Sequence, residues 1–203
     1  MTKLKKSSAI LIMLGLVLAG LVGLFVIFRF WQNTKAKKQD ELIDQETPEV
    51  IEPTTSEDSI IIDSYKVIKE AFNEMGSTDE NFARLHCAQA MHESDIFSSV
   101  LYVDNCNAFG MRQAKVRDTT SIGTTELHGS YASYKSLADS AKDVLLWDRY
   151  NKLTEVYPDI TKDSCIAFVR ALSSKSYFEA PFLTYQNAVY GHLRRLNALL
   201  SQG

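Results

Sequence analysis

Hydrophobic residues fall into three regimes along this chain. They are unbroken from Ala9 to Phe28 (AILIMLGLVLAGLVGLFVIF), sparse from 32 to 59, and from Ile60 onward they recur at three- and four-residue steps. The unbroken run is about 20 residues, which at helical rise spans roughly 30 Å of hydrocarbon. It predicts a single membrane-spanning helix within residues 1–31. Lys3, Lys5 and Lys6 precede it, Arg29, Lys35, Lys37 and Lys38 follow it, and Phe30-Trp31 suit the membrane interface. A cleaved signal peptide is the competing reading, but it requires a shorter apolar core and a small-residue cleavage site. Leu18-Ala19-Gly20 is a poor version of one, so an uncleaved anchor is expected. Basic residues flank both ends, and charge alone does not set orientation. Residues 32–59 are polar, acidic and interrupted by Pro48 and Pro53, which predicts a flexible tether. As a coil of about 28 residues it would reach roughly 30 Å.

From 60 to 203 the pattern predicts one mainly helical α+β domain. Ile61, Tyr65, Ile68, Phe72 and Met75 mark an amphipathic helix stopped by Gly76. Ser77 with Glu80 reads as a capping box for a second helix over about 79–94. Its apolar residues occupy nearly the whole circumference, the mark of a buried helix. Residues 112–134 turn to Thr, Ser and Gly and predict a small β-rich flap around Ser121-Ile122-Gly123. Ser136 with Asp139 opens another helix, Thr161 a further one, and a last helix covers about 182–201. There is no internal repeat.

Charge is uneven. Residues 1–38 hold seven Lys/Arg and no acid; residues 39–59 hold eight acids and no base; residues 60–203 hold fifteen basic and seventeen acidic residues. A nucleic-acid partner is not expected, because basic residues do not dominate the folded part. Cys87, Cys106 and Cys165 fit no close metal spacing; Cys87 and Cys165, in expected helices, read as small buried side chains, with one disulfide and one free thiol among the three as the alternative. The four histidines are scattered without an H-E-x-x-H pattern, so neither a metal nor a cofactor is expected.

The chemistry concentrates in two runs. Ala88-Gln89-Ala90-Met91-His92-Glu93-Ser94 ends the buried helix on a carboxylate. Asn105-Cys106-Asn107-Ala108-Phe109-Gly110-Met111-Arg112 is a turn of small residues that lets backbone approach a partner closely. Apolar surroundings and the negative end of the helix dipole both raise the pKa of Glu93, as a proton donor requires. These runs resemble the glucosaminidase family of peptidoglycan hydrolases, which share a lysozyme-like fold, over roughly residues 78–195. The family's A-Q-A-x-x-E-S stretch stands here as Ala88 to Ser94, its N-N-L-F-G-I turn as Cys106 to Met111, and its F-x-x-Y-x-S segment as Tyr131 to Ser136. Its G-Y-A-T-D-P segment resembles Ser176-Tyr177-Phe178-Glu179-Ala180-Pro181.

The resemblance implies that Glu93 is the catalytic acid and Tyr177 a tyrosine of the active cleft. It also sets Ser94, Asn107, Phe109, Gly110 and Tyr134 against the substrate, a peptidoglycan glycan strand. Asp118 and Glu126, both in the flap, are the candidates for a second carboxylate; the alternative is attack by the sugar's own acetamido oxygen. The family's G-W after E-S is Asp95-Ile96 here, and Cys106 and Ala180 replace an Asn and an Asp. The implied protein is a single-pass enzyme of the cytoplasmic membrane. Residues 9–28 would hold it in the bilayer, with the domain on the periplasmic or wall side and an envelope complex as a further partner. It would act as an endo-β-N-acetylglucosaminidase. A muramidase or lytic transglycosylase on the same scaffold, or an inactive wall-binding component, are the alternatives.

Overall fold

A computed structural model describes residues 56–202. The apolar run 9–28 and most of the predicted tether lie outside the described residues. Within them no helix is long and apolar enough to cross a membrane. The described residues form six helices and a two-stranded flap: α1 (Ser56–Glu74), α2 (Glu80–Glu93), α3 (Val100–Asn105), β1 (Gly123–Thr124), β2 (Ala132–Ser133), α4 (Leu137–Asn151), α5 (Lys162–Ser174) and α6 (Phe182–Leu200). The mainly helical α+β class therefore stands.

Helix α2 is the axis of the domain. Phe82, Ala83, Leu85, Cys87, Ala88, Ala90 and Met91 are all buried, as an all-round apolar helix requires. It packs against α6 and α1; α1 also packs on α4, and α5 on α6. Cys87 and Cys165 are buried and Cys106 partly so, and all three are free thiols. Burial pushes the Cys87 thiol up, and that of Cys165 up to about 12. Among the described residues no group of three or more His, Cys, Asp or Glu is arranged to hold a metal ion.

Two helix starts differ from expectation. Helix α1 begins at Ser56, four residues inside the predicted tether. Glu57 and Asp58 occupy its first turn, where anions oppose the positive end of the helix dipole. Arg195 of α6 pairs with both, at 2.7 Å to Asp58. The N-cap of α2 is Asp79, not Ser77: its carboxylate accepts the Phe82 N–H at 2.7 Å. Glu80 does not close a capping box. It pairs with Arg84 at 2.6 Å and Lys69 at 3.2 Å, and the Arg84 hydrogen bond foremost lowers its pKa to about 2. Ser136 and Thr161 cap α4 and α5 as expected, accepting from the N–H groups of Asp139 and Ser164.

The flap is a short antiparallel pair, Gly123 opposite Ser133 and Thr124 opposite Ala132, extended by a bridge between Arg112 and Tyr131. It starts two residues later than predicted because the Ser121 hydroxyl accepts the Gly123 N–H and donates to neighbouring acceptors. The flap segment is fastened to α4 by a bidentate pair from Arg117 to Asp143, at 2.7 and 2.9 Å. Tyr134 adds a third hydrogen bond to Asp143 at 2.8 Å. Burial opposes ionisation of Asp143, but Arg117 and the hydroxyl donors outweigh it and hold its carboxyl below the usual range.

Candidate active site

Glu93 is the last residue of α2, and the chain reverses hand immediately beyond it. Asp95, Ile96 and Phe97 hold φ of 50°, 53° and 61°, a left-handed run costing on the order of 1–2 kcal/mol per residue. Ser94 maintains the reversal. It is fully buried, its hydroxyl donates to the Ala90 carbonyl at 2.6 Å, and it accepts the Phe97 N–H at 2.8 Å. Its own carbonyl accepts from Ser98 and Ser99 N–H. Ser94 is therefore a positioning residue, not a substrate ligand. Asp95 stands where the family usually has glycine, the residue that takes such a φ without penalty.

The turn after α3 faces Glu93. Cys106, the left-handed cap of α3 at φ 51°, occupies a position suited to the asparagine that the family pattern carries there. Asn107 is fully buried; its amide donates to the carbonyls of Met111 and Ala132 at 2.8 and 2.9 Å, and its oxygen accepts the Met111 N–H. It staples the turn to the flap and does not reach the substrate side. Gly110, at φ +60°, closes onto the acid: a Cβ there would sit 3.2 Å from Glu93 Oε2. Only glycine satisfies both the backbone and that clearance.

The other carboxylate oxygen is held by a residue that the sequence reading missed. Tyr185 of α6 donates to Glu93 Oε1 at 2.6 Å. Its ring stacks on Phe178 at 3.7 Å and meets the His92 ring edge-on at 4.8 Å. A signal for it existed: Tyr185, Val189, Leu193 and Leu196 recur at three- and four-residue steps along the buried stripe of α6, and a buried tyrosine hydroxyl seeks a partner. Burial raises the Glu93 pKa, and the Tyr185 hydrogen bond only partly opposes this. Burial likewise lowers the pKa of His92, which disfavours its charged form beside the acid.

These groups line an open cleft of about 840 Å³, a size suited to several sugar units. Glu93, Phe109, Gly110 and Tyr177 all border it. Phe109 contributes backbone, since its ring is buried, and Tyr177 donates to the Phe109 carbonyl at 2.5 Å. The Tyr177 hydroxyl hydrogen is thus spent on tying the loop after α5 to the glycine turn, rather than offered to a sugar acetamide. Tyr134 is buried beneath the flap on Asp143 and does not border the cleft. Asp118 and Glu126 are exposed and neither borders this cleft; Asp118 lies in a shallower depression beside Arg149. The second carboxylate that does border it is Glu179, two residues after Tyr177. The aromatic lost with the family's tryptophan has counterparts from elsewhere in Trp147, Tyr150, Tyr131 and Phe178.

Comparison with solved structures places this arrangement among known folds. A type VI secretion system effector–immunity complex from Pseudomonas protegens contains a chain that superposes with a TM-score of 0.52 at 16% identity, over 71% of this chain and 96% of that one. The catalytic domain of the autolysin Auto from Listeria monocytogenes matches with a TM-score of 0.44 at 14% identity, over 78% of this chain and 96% of that one. No curated protein sequence matches the chain. The family model for mannosyl-glycoprotein endo-beta-N-acetylglucosaminidase matches residues 69–198, from the second half of α1 to the end of α6. With its carboxyl-bearing helix end, glycine turn and cleft in that matched stretch, the chain belongs to the glucosaminidase family.

Proposed function

We propose that this protein cuts β-1,4 bonds in peptidoglycan glycan strands on the reducing side of N-acetylglucosamine, with Glu93 as general acid. One observation carries the reading: a partly buried carboxyl at a helix end, in a cleft of oligosaccharide size, with its two oxygens differently placed. Oε1 is occupied by Tyr185, while Oε2 faces the Gly110 turn. Oε2 is therefore the oxygen that carries the proton to the leaving glycosidic oxygen. Burial favours the protonated form needed for that transfer.

In the same reading Glu179 activates the water, because it is the other carboxylate bordering the cleft. As the glycosidic C–O bond breaks, the leaving oxygen takes the Glu93 proton. Water oxygen bonds to the anomeric carbon, and the water proton passes to Glu179. Glu179→Ala is expected to lower kcat by about 100-fold or more. Azide should restore turnover by replacing the activated water, with a glycosyl azide as product. An unchanged kcat would remove Glu179 from the mechanism and leave the substrate's acetamido oxygen as the nucleophile.

The function itself is tested by digesting purified sacculi and analysing the fragments by mass spectrometry. New reducing N-acetylglucosamine ends are expected. Reducing muramic acid ends would show a muramidase, and anhydro-muramic ends a transglycosylase. No fragments at all would mean a wall-binding protein.

A further inference from the structure

The cleft is positively charged in a domain that is not. Residues 60–203 carry two more acids than bases, yet Arg112, Lys115, Arg117 and Lys175 border the cleft against Glu93 and Glu179. Arg117 is spent on Asp143. The other three are exposed and, among the described residues, in no salt bridge. Arg112 is positioned over the Tyr131 ring, 5.5 Å from its centroid, with a 3.4 Å hydrogen bond to Ser130. Arg112 and Lys115 come from the segment entering the flap, and Lys175 from the end of α5, so two separate elements bring cations to one groove.

Such a groove repels nothing in a neutral sugar polymer and gains nothing from its charge. A strand that carries carboxylates on alternate sugars gains at every cation it passes. Resting on the function proposed above, we infer that Arg112, Lys115 and Lys175 form a subsite for the carboxylates of the lactyl-peptide substituents on muramic acid. They select the acidic wall strand over neutral β-1,4-linked N-acetylglucosamine polymers. The cations bind substituents that project from the sugar backbone, while Glu93 and the Gly110 turn address the backbone itself. Affinity for the strand then depends on ionic strength, since the three side chains are open to solvent.

The test uses the full chain in detergent with Glu93→Gln, which keeps the hydrogen bond from Tyr185 and prevents turnover during binding. Binding is measured to soluble, stem-bearing glycan strands, and to the same strands with their carboxylates converted to amides. Expected are tight, salt-sensitive binding to the native strands and about tenfold weaker binding to the amidated ones. Adding Arg112→Gln, Lys115→Gln and Lys175→Gln should lower affinity for native strands to the amidated level and flatten the salt dependence. Equal affinity for native and amidated strands overturns the inference, as does an unaltered salt dependence in the triple variant. So does loss of binding only when wall phosphate polymers are stripped from the strands. Failure of the unsubstituted protein to cut any strand would instead count against the proposed activity, so the two failures remain separate.

Discussion

Glu93→Gln is expected to lower the cleavage of sacculi by about 1000-fold while leaving the protein folded and bound to its substrate. The amide oxygen still accepts from Tyr185, and Gln adds no volume toward Gly110. The same substitution should raise thermal stability at neutral pH. Burial raises the folded-state pKa of Glu93 above its ordinary value of 4.5. A raised pKa means that its favourable contribution is complete below the unfolded value and is lost as pH climbs through the folded one. As pH climbs above the unfolded value, the wild type therefore bears the cost of a carboxyl that ionises freely in the unfolded chain and is hindered from doing so when folded, and the variant does not. Melting temperatures should differ in favour of Gln at neutral pH and converge below about pH 4. Wild-type cleavage should fall as pH rises through the raised pKa of Glu93, where the proposed acid loses its proton. A variant no more stable than wild type at neutral pH would show that Glu93 is not held in the state that catalysis requires.

The second large effect lies beneath the site. His86 and Asp148 are both fully buried, with Nε2 2.7 Å from Oδ2. The imidazole is ringed edge-on by Phe72, Phe82, Phe109 and Phe168 at centroid distances of 5.2, 4.5, 6.0 and 5.0 Å. Burial drives the Asp148 pKa up, and His86 opposes it. His86→Ala leaves that carboxyl without its partner and opens a hole among four aromatic rings. A loss of about 3–5 kcal/mol is expected in urea unfolding, a large share of the roughly 5–15 kcal/mol that holds a typical domain. His86→Phe with Asp148→Leu should lose much less, because no uncompensated polar group remains. If the single and double replacements cost the same, the pair is a packing element and not an electrostatic one. Phe109 touches His86 and presents its carbonyl to Tyr177, so the single variant should also lose activity before it unfolds.

Helix positions were legible in the sequence because they rest on local signals. Periodicity marked α1 and α6, and Ser136 and Thr161 marked two N-caps. Glu93 stood out because Ala88 to Ser94 resembles the family's A-Q-A-x-x-E-S stretch; a glutamate at a helix end is by itself more often a solvated or paired residue. The rest depended on direction, which spacing does not encode. Ser94, Asn107 and Tyr134 stand in the right motifs, but their polar atoms turn inward to backbone groups and to Asp143. Asp118 and Glu126 were chosen for belonging to the flap, which turns both toward solvent away from the cleft. Tyr185 is 92 positions from Glu93, and only the packing of α6 on α2 brings them together. The tether boundary was misread because Glu57 and Asp58 look like part of an acidic linker until Arg195 is seen beside them.

The left-handed stretch after Glu93 bears on how a mutational survey of this protein should be scored. Ser94 anchors three residues whose backbone is unfavourable on its own, and the acid is the residue immediately before it. A replacement lacking the hydroxyl is expected to release that stretch and shift the carboxyl relative to Gly110. A screen that recorded only cleared zones would therefore count Ser94 among the reacting groups, although it is fully buried and does not border the cleft. Pairing each cleared-zone score with a measure of the Glu93–Tyr185 contact would separate residues that position the carboxyl from the carboxyl proposed to act.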